Sequence, residues 1–462
     1  MSKLSIIDSI FLWVETPEIP AHVAGLQIFG LPRGKGSDWL QELMASLREH
    51  PPGYPFNQRL KSGSAARPEL VEEKDFDFDY HLRHTVLPKP GNEEQLRNLV
   101  ARLQANLIDR DRPLWEFHLI EGLENRHFAF YIKIHHAICD GATFSKWMAQ
   151  STGTTPGANT PPIWARPRKK TGHAERPWLA ALQAPAGWVR TGRDISLGTV
   201  QIMARILRAR FIDNNRDIAL PLSGPHTAFN AELTASRNLA FSHYPVDELK
   251  AMGRPYDATL NDVVLAICDE SLRRYLAEQG QYPEKPLVAA VPVNVRPAGE
   301  ASEGNHVASL QVKLGREGKN PAERLHAITR SVNSTKGVFD GVPVAASQAY
   351  SFAAAGLAAA GQSLHLVGVM PPPMNLIISN VPGPRETRYF AGAKLEALYP
   401  VSGVAPMTAL NVTVYSYAGT LFVGLISGRR ALPHIHDLKL CMDEVYEEYK
   451  QALLGNAYLG SE

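Results

Sequence analysis

The chain has 462 residues, 44% of them hydrophobic and 20% charged, with a formal net charge of +2. That length is too great for one ordinary core and predicts two domains, and the composition excludes a disordered chain. A balance this close to neutral supplies no global field towards nucleic acid.

The opening segment, MSKLSIIDSIFLWVETPE, meets Asp8 and Glu15 too early for a secretory signal. Residues 92–107 place Leu96, Leu99, Val100, Leu103 and Leu107 at helical spacing and predict an amphipathic helix. HFAFYIKI, residues 127–134, is aromatic and β-branched and predicts a strand. Residues 151–177 are rich in Pro, Gly, Thr and basic residues and read as a linker; a helical stretch follows over about 178–212, and LPLSGPHTAFN (220–230) breaks the pattern. A strand is expected at 238–246, a helix around 260–277, and buried strands in PLVAAVPVNVR (286–296) and MNLIISNVPGP (374–384). A hairpin over 410–428 turning near Gly419 and a helix at about 436–453 complete the chain. The apolar stretch Val342 to Met370 is broken by Ser347, Gln348, Gln362, Ser363 and His365, so no run reaches the ~20 residues of a spanning helix. Cys139, Cys268 and Cys441 form no CxxC or zinc pattern, which fits a reducing, cytoplasmic setting. The expected class is α/β (α+β), with one lobe over 1–150, a linker and helical segment over 151–225, and a second lobe over 226–462.

The chemistry concentrates in IHHAICDG, residues 134–141. Strand alternation puts Phe128, Phe130, Ile132, Ile134 and His136 on one face and Ala129, Tyr131, Lys133 and His135 on the other. The first face is apolar until it reaches His136, which a strand end would deliver to a cleft as a base. The bland alternative is a satisfied polar group. Asp140 either orients that imidazole or turns away and pins the loop through a cation from elsewhere, and Gly141 eases the entry of a following helix. Strand neighbours facing opposite ways do not readily share a metal ion. Cys139 sits among small apolar residues without an activating partner and reads as filler.

HHAICDG resembles the HHxxxDG signature of the CoA-dependent acyltransferase superfamily, which nonribosomal-peptide condensation domains and polyketide-associated acyltransferases share. The segments LSIIDSIFLWVETPEIPAHVAGLQIF (4–29), FDFDYHLRHTVLPKPG (76–91), DRPLWEFHLIEGL (111–123), LNDVVLA (260–266), PVNVRP (292–297) and SNVPGP (379–384) resemble, in order and spacing, the bacterial wax ester synthase/diacylglycerol acyltransferase family. The resemblance implies two chloramphenicol-acetyltransferase-like lobes with mixed sheets and a substrate tunnel at their interface. It implies transfer of a fatty acyl group from acyl-CoA, a co-substrate rather than a resident cofactor, to a long-chain alcohol or diacylglycerol. His136 corresponds to the general base, with His135 beside it. Asn261 is then the candidate for supporting the site, against an N-cap role, and Asp262 supports it structurally. Arg296 is the candidate partner of Asp140. Pro113, Leu114, Trp115, Ser379 and Asn380 are channel candidates, with a structural role the stronger expectation for the PLW triplet. Two other classes stay open: an acyltransferase that takes its donor from a carrier protein, and a lipid-body protein that keeps the fold without catalysis.

Insoluble substrates imply a peripheral membrane or lipid-body surface. The 178–212 stretch carries Arg190, Arg193, Arg205, Arg208 and Arg210 among Trp188, Ile202, Ile206, Leu207 and Phe211, and ARPRKK precedes it. Such a helix either lies on an anionic surface or packs across the lobes with its arginines solvated.

Overall fold

Two six-stranded sheets organise the computed structural model, which describes residues 2–63, 68–165, 198–294, 307–315 and 320–458. The first sheet runs β12 (Tyr389–Phe390), β13 (Ala393–Val401), β2 (His22–Gly30), β7 (His127–His135), β6 (Trp115–Leu123) and β5 (Leu82–Val86). The second runs β10 (Val307–Lys313), β9 (Val288–Asn294), β11 (Leu376–Pro382), β14 (Leu410–Tyr417), β15 (Thr420–Gly428) and β8 (Arg237–Pro245). A small sheet joins β1 (Ser2–Lys3), β4 (Glu69–Glu72) and β3 (Gln58–Leu60). The two mixed lobes expected from the pattern are present, but the sequence boundary at 226 is crossed once. Residues 389–401 leave the second lobe, and β13 pairs antiparallel with β2, from Lys394 opposite Gly30 to Val401 opposite Ala24. The physical reason is edge protection, since β2 would otherwise present a row of unpaired backbone groups.

Helices α1 (Ile6–Val14), α2 (Ser37–Arg48), α3 (Phe78–His81), α4 (Glu93–Ala105) and α5 (Gly141–Gln150) belong to the first lobe. Helix α6 covers 198–207 and continues as a π turn, Arg208–Ile212. The second lobe adds α7 (Val246–Gly253), α8 (Leu260–Glu278), α9 (Pro321–Phe339), α10 (Val344–Ser363) and α11 (Ile435–Tyr458). The expected hairpin turns at Ala418 and Gly419, both at positive φ, with Tyr417 opposite Thr420. That backbone matches the strand twist and suits glycine.

Helix α4 shows how the sequence sets an element's ends. Asn92 accepts the Gln95 N–H and the Gln95 side chain accepts the Asn92 N–H, each at 3.0 Å, a reciprocal cap. Leu96, Leu99 and Val100 are buried. The helix stops at Ala105, short of the expected Leu107, because Lys133 Nζ donates to Leu103 O and Asn106 O, each at 3.0 Å. Lys133 is fully buried and lies 3.2 Å from Glu116 Oε2. Both faces of β7 are therefore inside. Phe128, Phe130, Ile132 and Ile134 pack in an aromatic core with Trp115, Trp147 and Trp164, while Ala129 and Tyr131 join a core shared with the second lobe.

Removing the Lys133 charge leaves Glu116 buried beside a lost partner. Lys133→Met should lower unfolding free energy by about 3–5 kcal/mol, read by chemical denaturation. An unchanged midpoint would show that His118, 3.3 Å from Glu116 Oε2, and Arg83, 3.6 Å from Oε1, suffice as partners for Glu116.

Candidate active site

The motif spans the end of β7 and the entry to α5. His22 of β2 stands opposite His135, and the His135 N–H donates to Leu114 O at 3.0 Å. The next residue leaves the ladder yet stays tied to the start of β2, the His136 N–H donating to Ala21 O at 2.8 Å. The two side chains diverge, as alternation predicts. His136 is half-buried, and its imidazole stacks on Phe11 of α1 with ring centroids 4.1 Å apart and 11° between planes. His135 is fully buried, and its Nδ1 accepts the Ala137 N–H at 3.0 Å. The ring proton of a neutral His135 therefore sits on Nε2, 3.4 Å from Glu15 Oε2.

Glu15 closes α1 as its C-terminal cap residue, with its carboxylate buried. Its Oε1 accepts the Ala21 N–H at 2.9 Å and lies 3.5 Å from His22 Nε2. Its Oε2 accepts from Arg110 Nε and Nη2 at 3.1 and 2.8 Å. Burial alone would raise the Glu15 pKa, but hydrogen bonding from His135 and His22 outweighs it and holds the carboxyl well below the usual range. Burial pushes His22 down to about 4, so it is neutral at physiological pH.

Asp140 caps α5, accepting the Thr143 N–H at 2.7 Å. Burial holds the His136 pKa below the ordinary histidine value, against the opposing pull of the Asp140 charge. Arg296, the expected partner of Asp140, lies outside the described residues. Gly141 opens α5 against β11: an added Cβ there would come 3.3 Å from Val381 Cγ2. Ser145 Oγ donates to Pro382 O at 2.7 Å and lies 3.1 Å from Tyr415 Oη. The helix that follows the motif thus docks it on the SNVPGP strand end, bringing together two segments 230–250 positions apart in the chain.

Strand β11 also marks an opening in the second sheet. It pairs in parallel with β9 only at Leu376–Ala289 and Ile377–Ala290, whereas its pairing with β14 continues to Pro382. Half-buried Ser379 and Asn380 lie on the part of β11 beyond the β9 contact. The PLW triplet does not border such a space. Leu114 and Trp115 are fully buried, Trp115 Nε1 donates to Phe56 O at 2.8 Å, and its ring stacks on Trp164. With Pro113 buried beside them, all three are core residues, a correction to their place among channel candidates.

The N-cap alternative for Asn261 is also settled by geometry. Thr259 is the N-cap of α8, and Asp262 completes a capping box, its Oδ2 accepting from Thr259 N at 2.8 Å and Oγ1 at 2.7 Å. Asp262 is thereby a structural support. Asn261 is half-buried in the first turn and takes no part in the cap. Cys139 is buried, and no group of three or more His, Cys, Asp or Glu residues able to hold a metal occurs among the described residues.

Comparison with known proteins fixes the family. Residues 4–264 match the wax ester synthase/diacylglycerol acyltransferase catalytic domain, and residues 303–450 match the WS/DGAT C-terminal domain. The chain belongs to the wax ester synthase/diacylglycerol acyltransferase family. It is accordingly an acyltransferase. It is 35% identical over 457 residues to a probable diacylglycerol O-acyltransferase of Mycobacterium tuberculosis, covering 96% of this chain and 98% of the relative. It is 33% identical over 450 residues to O-acyltransferase WSD of Acinetobacter baylyi, covering 96% of each. The solved wax ester synthase/diacylglycerol acyltransferase of Marinobacter aquaeolei superposes with a TM-score of 0.74 at 32% identity, covering 98% of this chain and 100% of that one. A starter condensation domain of rhizomide synthetase shares the fold alone, at a TM-score of 0.58 and 13% identity.

Sequence reasoning on this WS/DGAT chain missed Phe11, Glu15 and His22 as neighbours of the motif. A buried carboxylate leaves no periodic signal, and only the pairing of β2 with β7 brings His22 to His135.

Asp140→Asn should leave thermal stability nearly unchanged, because Asn caps a helix about as well as Asp. It removes a charge that favours the imidazolium, so His136 should protonate at lower pH than in the native protein. Histidine-resolved NMR titration reads the shift, and movement to higher pH would contradict the assignment.

Proposed function

We propose that this protein transfers a long-chain fatty acyl group from acyl-CoA to the hydroxyl of a fatty alcohol or diacylglycerol, with His136 as general base and no acyl-enzyme. The observation that carries this reading is a half-buried histidine whose backbone N–H is tied to Ala21 and whose ring stacks on Phe11, nine residues before Ser145 fixes α5 to the end of β11. Its lowered pKa leaves it neutral and able to accept a proton. The imidazole takes the acceptor's hydroxyl proton as the oxygen bonds to the thioester carbonyl carbon. The tetrahedral intermediate then breaks its C–S bond, and the imidazolium returns the proton to the departing CoA sulfur. Such acid–base assistance is worth roughly 10²–10⁴-fold. Asn261, whose amide the α8 cap does not use, is the candidate donor to the oxyanion, directly or through a neighbour. Ser379 and Asn380, half-buried on β11 beyond its pairing with β9, are our candidates for lining the donor channel. The relatives include a diacylglycerol O-acyltransferase and a wax ester synthase/diacylglycerol acyltransferase, which supports both acceptor classes.

The same chemistry requires contact with a lipid surface. No helix among the described residues is long and apolar enough to cross a membrane. Arg205 is withdrawn from the surface role expected of it, because its Nη1 donates to Val338 O at 3.0 Å and Asp340 O at 2.6 Å, tying α6 to the end of α9. Ile202 and Ile206 are buried in the same packing. The outer part keeps an apolar and basic character: Phe211 and Ile212 are 68% and 76% exposed, beside Arg208 and Arg210. We assign reversible lipid-surface association to this turn. Arg190, Arg193 and Trp188 lie outside the described residues.

His136→Ala should remove nearly all thiol release from long-chain acyl-CoA with hexadecanol or diacylglycerol while the protein stays folded. His135→Ala should cost less in rate and more in stability, given its burial. Equal rate losses with equal melting temperatures would refute the division between the two histidines.

Asn261→Ala should lower kcat by roughly 10²–10³-fold if its amide donates directly to the oxyanion, with unchanged melting. An undiminished kcat would remove it from the site.

Replacing Phe211 and Ile212 with Ser, and Arg208 and Arg210 with Gln, should weaken flotation with anionic liposomes. Each arginine contributes about 1 kcal/mol near such a surface. Turnover of a short soluble alcohol should be retained, and undiminished flotation would remove this turn from the interface.

A further inference from the structure

We infer that Glu15 and Phe11 are positioning residues for the catalytic imidazole, forming with His135 a brace that sets the orientation of His136. The inference rests on the reading of His136 as the general base.

Three physical links run from the Glu15 carboxylate to His136. The shortest passes through one residue of β2's approach: Ala21 donates its N–H to Glu15 Oε1 at 2.9 Å and accepts the His136 N–H at 2.8 Å. A single residue thus transmits the carboxylate's position to the backbone of the base. The second link passes through His135, whose Nε2 faces Glu15 Oε2 at 3.4 Å while its Nδ1 accepts the Ala137 N–H at 3.0 Å. Those contacts hold the residues on either side of His136. The third link is α1 itself. Arg110 Nη2 bonds both Glu15 Oε2 and Leu12 O, at 2.8 and 2.7 Å, so the last turn of the helix is fastened to the carboxylate. One residue before Leu12, Phe11 lies flat against the imidazole.

The arrangement does more than fill space. A ring held only by its own side-chain torsions samples several rotamers, and a general base must keep its nitrogen within hydrogen-bond reach of the acceptor hydroxyl. A face-to-face aromatic neighbour blocks rotation of the imidazole out of its plane, and a displacement of about 1 Å at such a site costs on the order of 10²-fold in rate. Neither side chain needs to touch substrate for this effect. The carboxylate is buried, and Phe11 meets the base on a ring face rather than at a ring nitrogen.

The test separates positioning from folding and from the base assignment. Phe11→Leu keeps an apolar side chain but removes the flat ring, and Phe11→Tyr restores a ring. Glu15→Gln keeps the size and an oxygen for Ala21, but sets an amide N–H donor or an uncharged oxygen against Arg110 and the histidines. In the acyl-CoA thiol-release assay, Phe11→Leu should lower kcat about 10- to 100-fold, within the range expected for misplacement, with KM for acyl-CoA unchanged. Phe11→Tyr should recover most of the loss, and Glu15→Gln should repeat the kcat-selective defect. In a His136→Ala background, Phe11→Leu should bring no further loss, because the brace then has nothing to hold. Native kcat in folded Phe11→Leu overturns the proposal, as does a loss confined to KM or one that Phe11→Tyr fails to relieve. If Glu15→Gln does not fold, the Phe11 pair still decides the case. Should His136→Ala itself retain activity, the base assignment fails first; a dead His136→Ala beside a fully active Phe11→Leu defeats the brace alone.

Discussion

The pairing of β13 with β2 is the constraint on which the rest of the architecture depends. A strand encoded near residue 397 completes a sheet begun near residue 26, so neither lobe is covalently or physically self-contained. The join requires close contact with the other sheet as well. Gly424 of β15 lies against Pro400 O of β13 with no room for a Cβ between them. At that position glycine serves close approach of two backbones. Further ties cross the same seam: Arg97 donates to Leu239 O, Gln104 Nε2 to Ser402 O, and Arg237 to Glu18 O. The motif rides on this seam, since α5 is fixed to β11 through Ser145 and Pro382.

Around that frame the protein buries ionisable groups in satisfied sets. Lys133 spends its donors on two helix-terminal carbonyls and Glu116; Asp269 sits between Arg324 at 2.6 Å and Arg273 at 3.3 Å, linking α8 to α9. Isolated, each charge would carry a desolvation cost of several kcal/mol, and the partners are what make burial tolerable. Their geometry restricts register and packing, because a strand slip by one residue would move Lys133 and His135 to the aromatic face.

Much of the fold was legible because it rests on local periodicity. The spacing of Leu96, Leu99 and Val100, the alternation through residues 127–134 and the turn at Gly419 each carry their own signal in a short window. HHAICDG was legible by resemblance, and parity anticipated that the His135 and His136 side chains have different neighbours. What stayed hidden depends on contacts distant in sequence. The end of α4 is set by Lys133, the tie of Arg205 by the end of α9, and the crossing of residues 389–401 by an unpaired edge more than 350 positions earlier. None of these leaves a pattern in its own segment. The contiguous assignment of 226–462 to one lobe therefore failed at the one strand whose partner lies in the other.

The short parallel contact between β9 and β11 has a mechanical corollary. Two ladder pairs and the two hydrogen bonds between Asn375 and Val288 hold these strands together at one end, while β9 is zipped to β10 along its whole length and β11 to β14. Bending stress between the halves of this sheet falls on its weakest seam. The β9–β10 ribbon can lean outward with little loss of ladder bonding, so the width of the gap is compliant while the floor beneath the motif is stiff.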